Sequence, residues 1–245
     1  MSNKKLTTMA IDKTSTAIAV SAIEKADIFL KAVKVSIASA LLVTMVPVMA
    51  PVATSAEILR GDPAIGEQKA VTCVACHGMD GNSLVPTFPK LAGLGEKYLL
   101  QQMQHIRDGL RPVPAMVGQV DNMSDQELAD IAAYFNQLDR TRQSANPELI
   151  ALGSKVYRAG VAERNVSACI ACHGATGNGN SPAGFPAIGG QHAEYIAAQL
   201  VSYRKGYEDP TGRVTDGDIK IMRSNAFGLS DREIEAVSAY ISGLQ

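Results

Sequence analysis

The chain has 245 residues, 46% of them apolar and 5% aromatic with no Trp, and a formal net charge of −1. That length allows one large domain or two small ones, and the near-balanced charge is not the footprint of a nucleic-acid-binding protein. The chain has four cysteines, and all of them fall in two copies of one pentapeptide, which leaves no thiol for a disulfide, a nucleophile or an iron–sulfur cluster.

Taken in order, residues 1–56 read as a targeting segment. Lys25, Lys31 and Lys34 precede an apolar run from Val35 to Val46, and the small residues Ala53-Thr54-Ser55-Ala56 follow. This order predicts export with cleavage after Ala56. The alternative is an uncleaved anchor over 35–53, which Pro47 and Pro51 oppose. Without this segment the chain carries 17 basic and 21 acidic residues, a net charge of −4. Such a balance suits a soluble protein whose partners are chosen by local patches.

A helix is predicted over 63–72. Directly after it comes Cys73-Val74-Ala75-Cys76-His77-Gly78. The spacing C-x-x-C-H is that of covalent c-type haem attachment. Two thiols separated by two residues reach the two vinyl groups of one porphyrin, and the adjacent histidine lies under the iron as proximal ligand. A zinc knuckle would need four ligands per metal, and a thioredoxin-like pair needs no histidine after it. The rest of this half predicts a helix over 96–108 stopped by Gly109. A last helix opens on Ser124-Asp-Gln-Glu127, a capping box. Leu128, Ile131, Ala132, Phe135 and Leu138 form its apolar stripe.

The polar stretch 139–147 is a linker, and the pattern then repeats. Cys169-Ile170-Ala171-Cys172-His173-Gly174 lies 96 residues after the first motif. Helices are predicted over 147–159 and 193–205, with an insertion near Val161–Ser167 and a second capping box at Ser230-Asp-Arg-Glu233. Nothing reads as a sheet. The expected organisation is therefore all-α, with domain one at 57–143 and domain two at 144–245. Each domain is short of large aromatic residues, and two covalently bound haem c groups would supply the missing apolar bulk.

A His-ligated iron needs a sixth ligand or an open site. In the frame of the last helix, Met116 maps onto Met222, the one methionine of the second half. Both are expected in loops eight residues before the capping serine, and both are read as sixth ligands. Met103 and Met123 map onto leucines and read as core. His105 maps onto Ser202 and His192 onto Gly95, so both read as helix-surface or loop residues.

The exported part resembles cytochrome c4, the dihaem periplasmic cytochrome of bacterial respiratory chains. The resemblance rests on both C-x-x-C-H-G motifs, Asp80-Gly-Asn-Ser83, Phe88-Pro89-Lys-Leu-Ala-Gly93, Phe185-Pro186, Gly189-Gly-Gln-His192 and Ile221-Met222-Arg223. It implies two cytochrome c folds related by a pseudo-twofold axis, with Met116 and Met222 as sixth ligands. It implies that the carbonyls of Pro89 and Pro186 accept a hydrogen bond from the proximal histidines His77 and His173. Gly66 with Tyr134, and Gly153 with Tyr240, match its contact of first and last helices. Leu94 departs from the family pattern, which has glutamine there, and Ala187 replaces the usual lysine. The function expected is electron transfer in the periplasm, not catalysis. Electrons come from a quinol-oxidising complex or a dehydrogenase and pass to a terminal oxidase, and loose membrane association is left open. The rival readings are a cytochrome subunit of a dehydrogenase, flavocytochrome-like, and a dihaem peroxidase.

Overall fold

The computed structural model describes residues 59–244, so the leader reading and its cleavage point lie outside them. No described helix is long and apolar enough to cross a membrane. In chain order the helices are α1 (Pro63–Lys69), α2 (Val74–His77), α3 (Glu96–Arg107), α4 (Asp125–Gln137), α5 (Pro147–Ala159), α6 (Ile170–His173), α7 (Ala193–Gly206), α8 (Ile221–Phe227) and α9 (Asp231–Ser242). Among the described residues the only β-pairings are isolated bridges, Val161 with Val166 and Asn180 with Phe185.

Local chemistry explains where these helices begin. The Asp62 carboxylate accepts from the Ala64 N–H at 2.8 Å, and Pro63 occupies a first-turn position where no N–H is needed. The predicted 63–72 helix tightens after Lys69 into a 3₁₀ turn, Ala70–Thr72. Both expected capping boxes form, Ser124 with Glu127 and Ser230 with Glu233. Each such cap is worth about 1 kcal/mol.

The helices of each half, four in domain one and five in domain two, surround one core. In domain one, α4 buries Ile131, Ala132 and Phe135 against Leu94, Leu99 and Ala70. In domain two, α9 buries Ile234, Val237 and Ile241 against Val156, Tyr157, Ile196 and Leu200. Burying each large aliphatic or aromatic side chain contributes roughly 1.5–3 kcal/mol.

First and last helices cross at a glycine in both domains. A Cβ on Gly66 of α1 would stand 1.9 Å from the Asp130 carbonyl oxygen of α4, and 2.9 Å from the Tyr134 Cβ. A Cβ on Gly153 of α5 would stand 2.2 Å from the Ala236 carbonyl oxygen of α9, and 2.6 Å from the Tyr240 Cβ. The backbones touch, so the pairs Gly66–Tyr134 and Gly153–Tyr240 are packing contacts.

One local expectation is corrected, and one is filled in. Met222 lies in the first turn of α8, not in a loop. Residues 161–167 are an ordered turn: a 3₁₀ turn at Ala162–Arg164 closed by the Val161–Val166 bridge.

The linker is pinned to both domains. The Asn82 amide donates to the Asp139 carbonyl at 2.9 Å and accepts from the Thr141 N–H at 2.8 Å. The buried Lys90 ammonium donates to the Thr141 carbonyl at 2.7 Å. Arg140 donates to the Ala92 carbonyl of domain one at 2.8 Å and to the Ala187 and Gly189 carbonyls of domain two. Burial, together with the nearby charge of Arg142, pulls this guanidinium down to about 10.

Gly66→Ala or Gly153→Ala should force the crossing helices apart and cost about 2–4 kcal/mol. Denaturant unfolding should show a lower midpoint for either variant, with the same slope as the parent.

Candidate haem sites

Each C-x-x-C-H segment is a single helical turn that follows the first helix of its domain. The N–H of His77 bonds the Cys73 carbonyl at 3.0 Å, and the N–H of His173 bonds the Cys169 carbonyl at 3.0 Å. One turn places both thiols and the imidazole on a short arc. Gly78 then leaves the helix at φ +82° and Gly174 at φ +79°, conformations open to glycine at no steric cost. A tyrosine ties each turn to the domain core. The Tyr134 hydroxyl donates to the Met79 carbonyl at 3.3 Å, and the Tyr157 hydroxyl to the Gly174 carbonyl at 2.6 Å.

Both histidines are buried, and each bonds a proline carbonyl. His77 Nδ1 lies 2.9 Å from the Pro89 oxygen, and His173 Nδ1 lies 3.0 Å from the Pro186 oxygen. A carbonyl only accepts, so Nδ1 carries the proton. Burial also lowers both imidazoles below their ordinary value, which keeps them neutral. The Nε2 lone pair of each ring is thereby left for a metal. Phe88 and Phe185 pack beside the rings, with centroids 6.4 and 6.5 Å away.

A cavity of about 620 Å³ opens against the first motif. Cys73, Cys76, His77, Pro89 and Met116 all line it, among Leu91, Leu99, Ile131 and Phe135. Met116 ends a 3₁₀ turn started by Pro114, and its N–H bonds the Val113 carbonyl at 2.8 Å. The apolar wall, two free thiols and a neutral imidazole fit a covalently held porphyrin. Burial pushes the Cys73 thiol up, and the Cys169 thiol up to about 11. Neither is a ready thiolate.

In domain two, Cys169, Ile170, Ile188 and Met222 pack on one buried cluster. The start of α8 is held by a buried ion pair. The Asp216 carboxylate accepts from Arg223 Nε at 2.5 Å and from the Arg223 N–H at 2.8 Å. Lys220, just before Met222, takes a left-handed φ of +51° to enter the helix.

Of the residues set aside in the sequence, Met103 and Met123 do pack against the core of domain one. His192 is not a surface residue. It is 2% exposed, its Nε2 donates to the Ser83 carbonyl of domain one at 2.8 Å, and its Nδ1 accepts from the Gln143 amide at 3.0 Å. Sequence reasoning also missed Arg140 and Lys90. Their hydrogen bonds run to backbone carbonyls, which leave no trace in side-chain patterns.

Fold and site together define a cytochrome c, and the cytochrome c family model matches residues 64–139 and 150–245. Cytochrome c4 of Azotobacter vinelandii is 49% identical over 193 residues, covering 75% of this chain and 90% of that protein. The crystal structure of reduced recombinant cytochrome c4 from Pseudomonas stutzeri aligns with a TM-score of 0.72 at 47% identity, covering 76% of this chain and 100% of that one. A thiosulfate dehydrogenase electron acceptor of Stutzerimonas stutzeri is 32% identical over 179 residues, covering 71% of this chain and 80% of that protein. The chain belongs to the cytochrome c4 family. It is a dihaem electron-transfer protein with two covalently bound haem c groups.

The denatured holoprotein should therefore show a mass two haems above the polypeptide, with no haem lost to acid–acetone. Replacing Cys169 and Cys172 by alanine should reduce this to one haem. Two retained haems in that variant would place an attachment point elsewhere.

Proposed function

We propose that the protein carries electrons between periplasmic redox partners through two six-coordinate irons. His77 and Met116 ligate the first, in domain one at 57–143. His173 and Met222 ligate the second, in domain two at 144–245. Cys73 and Cys76, and Cys169 and Cys172, hold the two porphyrins by thioethers. The Pro89 and Pro186 carbonyls orient the proximal rings. The observation that carries this reading is the presence of Met116 on the same cavity as Cys73, Cys76 and His77.

The work of the protein residues is positional. The imidazole–carbonyl bonds keep Nε2 directed and basic. With haem bound, the apolar wall would keep water away, so that the residues holding the iron would stay in place in both oxidation states and transfer would need little rearrangement. A thioether on the iron raises the potential relative to a second imidazole. No acid–base pair is needed for this chemistry, and the protein is accordingly a carrier and not an enzyme. The dihaem peroxidase reading requires an openable iron, which two fixed methionines oppose.

The donor fits a quinol-oxidising complex or a periplasmic dehydrogenase, and the acceptor a terminal oxidase. The kinship with a thiosulfate dehydrogenase electron acceptor favours a dehydrogenase as donor, either as a passing partner or as a stable assembly. Export through the N-terminal segment, cut after Ala56, would deliver the chain to that compartment.

Met116→Ala or Met222→Ala should leave both haems attached, since the thioethers are elsewhere. The affected ferrous iron should then bind carbon monoxide, and its potential should fall. The untouched protein should bind carbon monoxide poorly. Rapid binding at one haem of the parent protein would favour the enzymatic reading.

A further inference from the structure

A buried cation lies between the domains without a counter-ion. Arg213 is 5% exposed. Its guanidinium donates to Gln199 Oε1 at 2.7 Å, Gln102 Oε1 at 2.6 Å, the Tyr98 hydroxyl at 2.9 Å and Thr215 Oγ1 at 3.2 Å. Its Cζ also lies 4.4 Å over the Tyr203 ring. All of these partners are neutral. Arg111 is arranged reciprocally, donating to Gln102 Oε1 at 3.2 Å, Gln199 Oε1 at 3.0 Å and the Tyr195 hydroxyl at 3.0 Å. Each arginine thus reaches the tyrosine of the other domain, and both share the same two carboxamides. No ion pair among the described residues involves either arginine.

Burying a guanidinium without an anion costs several kcal/mol, and neutral dipoles offset only part of that. Both arginines line the cavity that holds Cys73, Cys76 and His77. A haem c is apolar except for two propionate carboxylates, which lie on the edge away from its thioethers. The thiols come from α2. The two guanidiniums come from other walls, Arg111 from the loop after α3 and Arg213 from the loop after α7. Four of the five N–H groups of Arg213 are engaged, so one remains for a carboxylate oxygen, and Arg111 keeps two.

We infer that Arg213 of domain two, with Arg111 of domain one, binds the propionate edge of the haem attached to domain one and sets its reduction potential across the interface. A cation beside the ring favours the ferrous state, which holds one more electron, and so raises the potential. Arg213 is the more buried of the two and is less screened by water, so its effect is the larger. The inference rests on attachment at Cys73 and Cys76, which the mass of the peptide containing both residues tests independently.

The test is a redox titration of full-length holoprotein, with each haem followed through its own methyl resonances. In Arg213→Gln the domain-one haem should shift toward the ferric state by about tenfold in equilibrium constant, about 59 mV for one electron. The domain-two haem should move less. Arg213→Lys keeps the charge but loses most of the guanidinium's hydrogen bonds, and should remain within about twofold of the parent. Arg111→Gln, at a half-exposed site that tolerates change better, should shift the same haem in the same direction by about threefold. Equal falls in Gln and Lys variants, equal movement of both haems, or an unmoved domain-one haem in Arg111→Gln would each overturn the inference.

Discussion

Both sites depend on one hydrogen bond, from a buried imidazole Nδ1 to a proline carbonyl. It occurs twice, at 2.9 Å for His77 and at 3.0 Å for His173. It settles the tautomer, leaves the Nε2 lone pair free and offsets part of the cost of burying the ring. Proline is well placed to supply the carbonyl. It fixes its own φ and offers no N–H that would compete for a partner. The loop carrying it is anchored in turn. Leu91 N–H bonds the Gly81 carbonyl at 2.8 Å, and Ile188 N–H bonds the Gly177 carbonyl at 2.7 Å. The motif, its following glycine and the proline loop therefore form one rigid unit in each domain.

The two units are joined by bonds that break the internal repeat. Gln191 of domain two accepts from the Lys90 N–H and donates to the Lys90 carbonyl, both at 2.9 Å, across the interface. Its counterpart in domain one is Leu94, which has no polar side chain. There the Leu94 backbone carbonyl accepts from the Ala187 N–H at 3.1 Å, and Arg140 takes the Ala187 carbonyl. The two departures from the family pattern thus face each other, and the linker arginine supplies the second bond. The arginine–glutamine–tyrosine cluster keeps the reciprocal pairing that a pseudo-twofold relation requires.

Much of this was legible in the sequence because covalent attachment and helix capping leave strict spacings. The two pentapeptides and both capping boxes were visible as internal repeats, and the crossing glycines through the resemblance to the family. Met116 was legible through the internal alignment and through the family resemblance, and it lines the cavity of domain one. Other features left weaker marks. The turn at Ile221 was hidden by Lys220, whose left-handed backbone has no strong sequence signal outside Gly, Asn and Asp. Arg111 and Arg213 escaped notice because insertions place them out of register, although Tyr98 with Tyr195 and Gln102 with Gln199 align. His192 looked like a loop residue because its partners, Ser83 and Gln143, are distant in the chain and polar only in ordinary ways. Tertiary hydrogen bonds of that kind have no period to detect.

The central claim is that each iron is closed by a methionine as well as a histidine. The most direct measurement is the intensity of the methionine–ferric charge-transfer band in the fully oxidised protein, expressed per haem. The account predicts a band of full intensity for both haems of the chain. A band accounting for one haem, or none, would contradict it.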